Sequence, residues 1–304
     1  MFTRLKRFPR RMTVGAAVAA VAALGVGTAT ALPALPWSAA SAAADAGQAP
    51  AAAAVTTGAP MLPLFARKST GHLYDYEPSG SGGWKAAVDM GGGFSAANAF
   101  AQVRTSEGGT ATDLYFRIGN VLYYTAERGN DTKIIGSGWS QYNLLMSPGN
   151  MLGTSQDELV ARDAAGALWL YQGKADGTLA ARVRIGTSGW NGMNAIVGRG
   201  DYTGDGKGDL LARSTTGTLY IYPGTGNAAA DAGLGTRITV GTGWEAYKTL
   251  VSTGDCNGDG RADLIGIDTA GASWLFKGTG KSATPFEARV QNGTSGWASF
   301  DAYF

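Results

Sequence analysis

The chain has 304 residues, with 25 Lys and Arg against 23 Asp and Glu, one His, one Cys and 47 Gly. A lone cysteine excludes an intrachain disulfide. The charge is nearly balanced and the basic residues form no block beyond the first dozen positions, which argues against a nucleic-acid binder.

The first 42 residues differ from the rest. Arg4, Lys6, Arg7, Arg10 and Arg11 form a basic head, Val14 to Leu32 carries no charge, and Ala40-Ser41-Ala42 offers an A-x-A cleavage site. This is the pattern of a secretory signal peptide. The uncharged run is about long enough to span a membrane, but Ala and Gly dominate it and small cleavable residues follow. The Arg pair raises the twin-arginine route, yet Met12-Thr13-Val14 after it fits that signal poorly, so general secretion is expected. Cleavage would remove five basic residues, leaving 20 basic against 23 acidic and a net charge of −3. Residues 43–60, rich in Ala, Pro and Thr, read as a flexible or extended linker. The mature protein is therefore expected to be extracellular and free of the membrane.

From residue 61 the sequence repeats. Gly followed by an aromatic strand recurs as GHLYDY from 71, GNVLYY from 119, GALWLY from 166, GTLYIY from 217 and GASWLF from 271, spaced by 48, 47, 51 and 54. GGF ending at Phe94 and then SGW or TGW ending at Trp139, Trp190, Trp244 and Trp297 keep the same period, as do LPLFAR, DLYFR, ELVAR, DLLAR and DLIGI. Five copies at one period indicate a repeat architecture. Each copy holds four short strand-like runs bounded by turn residues; in the fourth they are 193–198, 209–213, 218–222 and 236–240. Four antiparallel strands per unit, arranged about a centre, make a β-propeller.

The first copy lacks its first strand, and SFDAYF at the end aligns with that missing type. The expected fold is all-β: a five-bladed propeller over 61–304, closed by the C-terminal strand. Recurrent Trp139, Trp190, Trp244 and Trp297 read as packing between blades, with a lectin-like sugar site as the alternative. Tyr74, Tyr123, Trp169, Tyr220 and Trp274 read as blade core.

Two acidic loops stand out, DYTGDGKGDLLAR from 201 and DCNGDGRADLIGI from 255. Three carboxylates in one loop repel, by on the order of 4 kcal/mol per pair at ~4 Å and an effective dielectric near 20. A hard cation with oxygen ligands would offset this, and calcium fits best. The ligand set read for the first loop is Asp201, Thr203, Asp205, the Lys207 carbonyl and Asp209. For the second it is Asp255, Asn257, Asp259, the Arg261 carbonyl and Asp263. Two copies of one oxygen pattern at matching places argue against simple Asp-Gly turns. In earlier copies the set has decayed, to Asn150, Leu152, Thr154 and Glu158 in one and Thr105, Glu107, Gly109 and Asp113 in the other. Two calcium sites are expected. Cys256 reads as a small apolar residue inside its loop, matched by Tyr202 in the other.

These loops resemble the calcium loops of FG-GAP/VCBS repeats, found in integrin α-chain propellers and many secreted actinobacterial proteins. The STTGTLYIYPGTG and GTGWEAYKTLVSTGD segments are similar to the actinobacterial branch. The resemblance implies a propeller with calcium between the first two strands of a blade, used as an adhesion or ligand-binding platform or as an accessory to secreted hydrolases.

A catalytic site finds little support. His72 is the sole histidine, and its equivalents Asn120, Ala167, Thr218 and Ala272 share no chemistry, so it reads as a solvated strand residue. No G-x-S-x-G elbow, P-loop or dinucleotide fingerprint is present. The expected function is a monomeric, non-catalytic binding module for an extracellular glycan, cell-wall polymer or protein. The alternative is a glycosidase or lyase using a carboxylate pair, which needs no histidine.

Overall fold

Short strands with alternating apolar residues cannot bury both faces alone, and in this protein neighbouring sheets bury them. The computed structural model describes residues 58–106, 109, 112–126 and 132–304. The expected signal peptide, most of the expected linker, and Glu107 lie outside the described residues.

Blade 1 contains β1 (Leu64–Arg67), β2 (Leu73–Tyr76) and β3 (Val88–Gly91). Blade 2 is β4 (Ala97–Val103), β5 (Asp113–Ile118), β6 (Val121–Thr125) and β7 (Lys133–Ser137). Blade 3 is β8 (Tyr142–Gly149), β9 (Glu158–Asp163), β10 (Leu168–Gln172) and β11 (Val183–Gly186). Blade 4 is β12 (Met193–Val197), β13 (Leu210–Ser214), β14 (Leu219–Tyr222) and β15 (Ile238–Gly241). Blade 5 is β16 (Tyr247–Gly254), β17 (Asp263–Asp268), β18 (Ser273–Phe276) and β19 (Val290–Gly293), and β20 (Ala302–Tyr303) follows it. Each sheet has four strands, and the first has the order β20-β1-β2-β3. This is the expected five-bladed propeller with its expected closure. Ala66 pairs with Tyr303 and Arg67 with Ala302, and Phe65 and Phe304 exchange two backbone hydrogen bonds of 3.0 Å.

The core is divided among the blade interfaces. Between blades 3 and 4, for example, Leu168, Leu170 and Ile185 meet Ile196, Leu210 and Ala212. Trp139, Trp190, Trp244 and Trp297 each open a short 3-10 turn ahead of a blade's first strand, and all are buried. Their rings lie 4.9 Å from Tyr171, 4.4 Å from Tyr222, 4.6 Å from Phe276 and 4.7 Å from Tyr76. They are packing residues, with no open face for a sugar. Of the aromatics expected in blade core, Tyr123 is buried while Tyr74, Trp169, Tyr220 and Trp274 are half-buried. They sit near the outer strands, where cations cover their rings: Arg182 lies 4.0 Å from Trp169 and Arg289 4.2 Å from Trp274.

The arginine that ends each apolar run ties one blade to the next. Arg213 Nη1 donates to the carbonyls of Trp244 (2.9 Å) and Tyr247, and its Nε to Asn194 Oδ1 at 2.7 Å. Arg67, Arg117 and Arg162 make the same bonds to Phe94 and Ala97, to Trp139 and Tyr142, and to Trp190 and Met193. In blade 5 the matching residue is Ile267, and the Trp297 carbonyl instead accepts from the Tyr303 hydroxyl.

Candidate metal centre

Both acidic loops connect the first and second strands of a blade, β12 to β13 and β16 to β17. Each wraps its backbone around its first aspartate. Asp201 Oδ1 accepts from the N–H groups of Thr203 (2.9 Å) and Gly204 (2.6 Å), and Oδ2 from Gly206 (2.6 Å). Asp255 does the same with Asn257, Gly258 and Gly260. Gly204 and Gly206 have φ of +83°, Gly258 +86° and Gly260 +85°. That left-handed backbone is why glycine stands there.

The last aspartate of each loop is buried and anchors it. Asp209 Oδ2 accepts from the Tyr202 N–H at 2.8 Å and Oδ1 from Gly224 at 3.0 Å. Asp263 bonds the equivalent N–H groups of Cys256 (2.9 Å) and Gly278 (2.8 Å). The decayed loops keep the first of these bonds: Ser106 donates to Asp113 and Met151 to Glu158. What they lose is the acids at the first and fifth positions. In their place Thr105 and Ser106 hydroxyls satisfy Asp113, and the Thr154 hydroxyl donates to Glu158. The ninth-position acid is thus a loop anchor in four blades, a role hidden in the sequence behind its apparent role as a ligand.

The two acidic loops differ in how far their side chains converge. Carboxylate oxygens of Asp201, Asp205 and Asp209 lie within 4.8 Å of one another, the one such acidic trio among the described residues. In the second loop Asp259 Oδ2 accepts from Asn257 Nδ2 at 3.1 Å and lies 4.0 Å from the Arg261 guanidinium. Thr203 is half-buried beside Asp201, its hydroxyl 3.2 Å from Oδ1. Lys207 and Arg261 are exposed, and their N–H groups bond Asp205 (3.0 Å) and Asp259 (2.9 Å).

Electrostatics agree with the geometry. Burial first, then the charges of Asp201 and Asp205, pushes the Asp209 carboxyl up to about 7. Burial, with Asp259 and Asp255, pushes Asp263 up to about 6. All-oxygen donors around a buried, charge-stressed carboxylate fit a hard divalent cation of the calcium type. Asp201, Asp205 and Asp209, with Thr203 and the Lys207 carbonyl, would hold it in the first loop. Its charge would relieve the repulsion among these acids.

Two neighbours of the loops were not apparent in the sequence. The Pro60 carbonyl accepts from the Asp255 N–H at 2.7 Å, Ala59 donates to the Gly260 carbonyl at 2.9 Å, and Met61 bridges Gly254. Residues 58–60, linker-like in composition, therefore brace the second loop. Tyr202, fully buried, brings its hydroxyl 2.6 Å from Ser252 Oγ and within 3.4 Å of the Arg199 N–H. Cys256 takes the matching place. It packs with Leu64, Ala66 and Ile265, and burial pushes its thiol up to about 12. His72 is half-exposed, with Nδ1 3.0 Å from Asp89.

Among the described residues no helix is long and apolar enough to cross a membrane. No curated protein matches the chain. Among solved structures, a Bacteroides caccae protein of unknown function is 8% identical with TM-score 0.35, over 76% of this chain and 73% of that one. The BP39L lectin of Burkholderia pseudomallei is 12% identical with TM-score 0.39, over 76% and 69%. The Dos1 propeller is 11% identical with TM-score 0.34, over 76% and 58%. Residues 201–266, which run from the first acidic loop through the second and into β17, match the family described as FG-GAP-like repeat.

Proposed function

We propose that this protein is a secreted, calcium-binding propeller of the FG-GAP/VCBS type, from the actinobacterial branch, that serves as a non-catalytic binding module. The convergence of Asp201, Asp205 and Asp209 carries the calcium reading. The repeat match over both loops supports it. Calcium stiffens the loops at one end of the blades, and the ring presents a rigid surface to an extracellular glycan, cell-wall polymer or protein.

A glycan array and a panel of glycosidase and lyase substrates, run on one purified sample with and without calcium, test this reading. Binding without turnover is expected. Turnover that disappears when one Asp or Glu outside the loops is changed would replace it with a carbohydrate-active enzyme.

A further inference from the structure

The first strands of the five blades enclose a central cavity of about 320 Å³. That is within the roughly 300–1,000 Å³ range of small-molecule sites. Phe100, Leu145, Ile196, Leu250 and Phe304 supply apolar wall. At one end stand Asn194 and Lys248, both exposed. At the other are Gln102, Ser147, Ser252 and Arg199, all buried.

The charge of this lining is one-sided. Arg199, Arg213 and Lys248 line the cavity, and no Asp or Glu does. Arg199 is 3% exposed. Its Nη1 bonds Asp157 Oδ2 at 2.9 Å and its Nη2 the Gln102 carbonyl, while Nε has no partner. Asp157 is also claimed by Arg104, through the amide at 2.9 Å and Nη2 at 3.3 Å. Two guanidinium groups thus share one buried carboxylate. A cation held away from water without its full counter-charge is destabilised, and an anion beside it offsets much of that.

We infer that the central cavity binds a small organic anion, a carboxylate on an apolar body. The carboxylate sits toward Arg199 and the body against Phe100, Leu145, Ile196, Leu250 and Phe304. Lys248 at the open end draws the anion in. The unpartnered Arg199 Nε offers the carboxylate one charge-assisted hydrogen bond, and such a bond is roughly twice as strong as a neutral one. The inference is independent of the calcium reading, since none of the lining residues is a proposed metal ligand.

The test is calorimetric titration of the calcium-supplied chain with 3-phenylpropionate, against its neutral amide and the cationic 3-phenylpropylamine. Saturable one-to-one binding of the carboxylate is expected, with the amide about tenfold weaker or more and the amine inert. Lys248→Gln, at an exposed position, should weaken carboxylate binding about three- to fivefold by removing long-range attraction. Arg199→Lys keeps the charge facing Asp157 but loses the free Nε donor, and should cost about tenfold. If Arg199→Lys does not fold, the Lys248→Gln variant and the three-probe series decide. No carboxylate binding to the wild-type chain at millimolar concentration, equal binding of acid and amide, or an affinity unchanged by Lys248→Gln would each overturn the inference.

Discussion

Ring closure rests on very little chain, so its energetic weight can be measured by a single substitution. Phe304 is 9% exposed, stacks on Phe100 with centroids 4.5 Å apart and planes 5° from parallel, and sits 5.8 Å from Phe65. It thereby joins blade 1 to blade 2 beside the pairing of β20 with β1. Removing a buried phenylalanine ring costs about 3–5 kcal/mol, from lost transfer energy and the cavity left behind. Phe304 keeps its backbone bonds to Phe65 in Phe304→Ala, so the lower end, about 3 kcal/mol, applies. For a domain of this size each kcal/mol moves the melting temperature by roughly 2–4 °C, giving a fall of about 6–12 °C. Phe304→Leu should recover more than half. Val290→Ala, at an exposed position on β19, should change stability by about 0.5 kcal/mol at most. Deleting residues 302–304 should lower the melting temperature further and promote aggregation, because it bares the edge of β1. Thermal unfolding followed by circular dichroism is the assay. A shift below about 2 °C for Phe304→Ala, against the 6–12 °C expected, would mean that Phe304 does not hold the ring closed.

Arg213→Ala should cost about 3 kcal/mol, because it strands the buried carbonyls of Trp244 and Tyr247. Arg213→Lys should restore only part of this in denaturant titration, since an ammonium cannot reproduce the fork. Asp75 is buried, Oδ1 has no partner, and burial together with the charge of Glu77 raises its carboxyl to about 7. Its folded value therefore lies above the unfolded value near 3.9, so the folded state holds the proton more tightly and stability is lost as pH rises from about 4 to 7. Asp75→Asn should flatten that slope and stabilise the protein at pH 7 and above, by on the order of 2–4 kcal/mol. Melting curves across that pH range with calcium present test it, and an unchanged slope would contradict it.

The strands were legible because alternating apolar residues and Gly, Asp, Ser and Thr at their ends are local signals, and five copies reinforce one another. In the fourth blade the expected runs begin within two residues of the observed strands. Closure was legible because SFDAYF supplies the strand type missing from the first copy. The arginine ties were not, although the arginine recurs in every copy but the fifth. Its acceptors are backbone carbonyls of the next blade, which carry no sequence signature. Asp157 and Arg199 escaped notice for a related reason, being 42 residues apart and outside the repeat pattern. Trp169 and Trp274, expected in blade core, pack against core clusters but are half-buried and carry an arginine over the ring, and an aromatic on a strand looks the same in sequence whichever covers its face. Local signals gave the acidic loops, but not the turning of Asp259 toward Asn257 and Arg261.

If the acidic loops are metal sites, calcium titration of the wild-type chain with paired melting curves will show it. Because the ligands would converge only on folding, bound calcium would stabilise by RT ln(1 + [L]/Kd), about 2.7 kcal/mol per site at a hundredfold excess. Extracellular calcium modules bind at roughly 0.1–1 mM. Asp209 and Asp263 must lose their protons to bind, with carboxyls raised to about 7 and about 6. Affinity should therefore fall as pH drops from about 8 to 6, with proton release on binding. Calcium heats are expected in that concentration range, with a melting temperature that EDTA lowers and magnesium restores poorly. Asp205→Ala should remove the first site, and the Asp205→Ala, Asp259→Ala double variant should remove the whole response. If millimolar calcium gives no heat and EDTA leaves the melting curve in place, the acidic loops are turns and not metal sites.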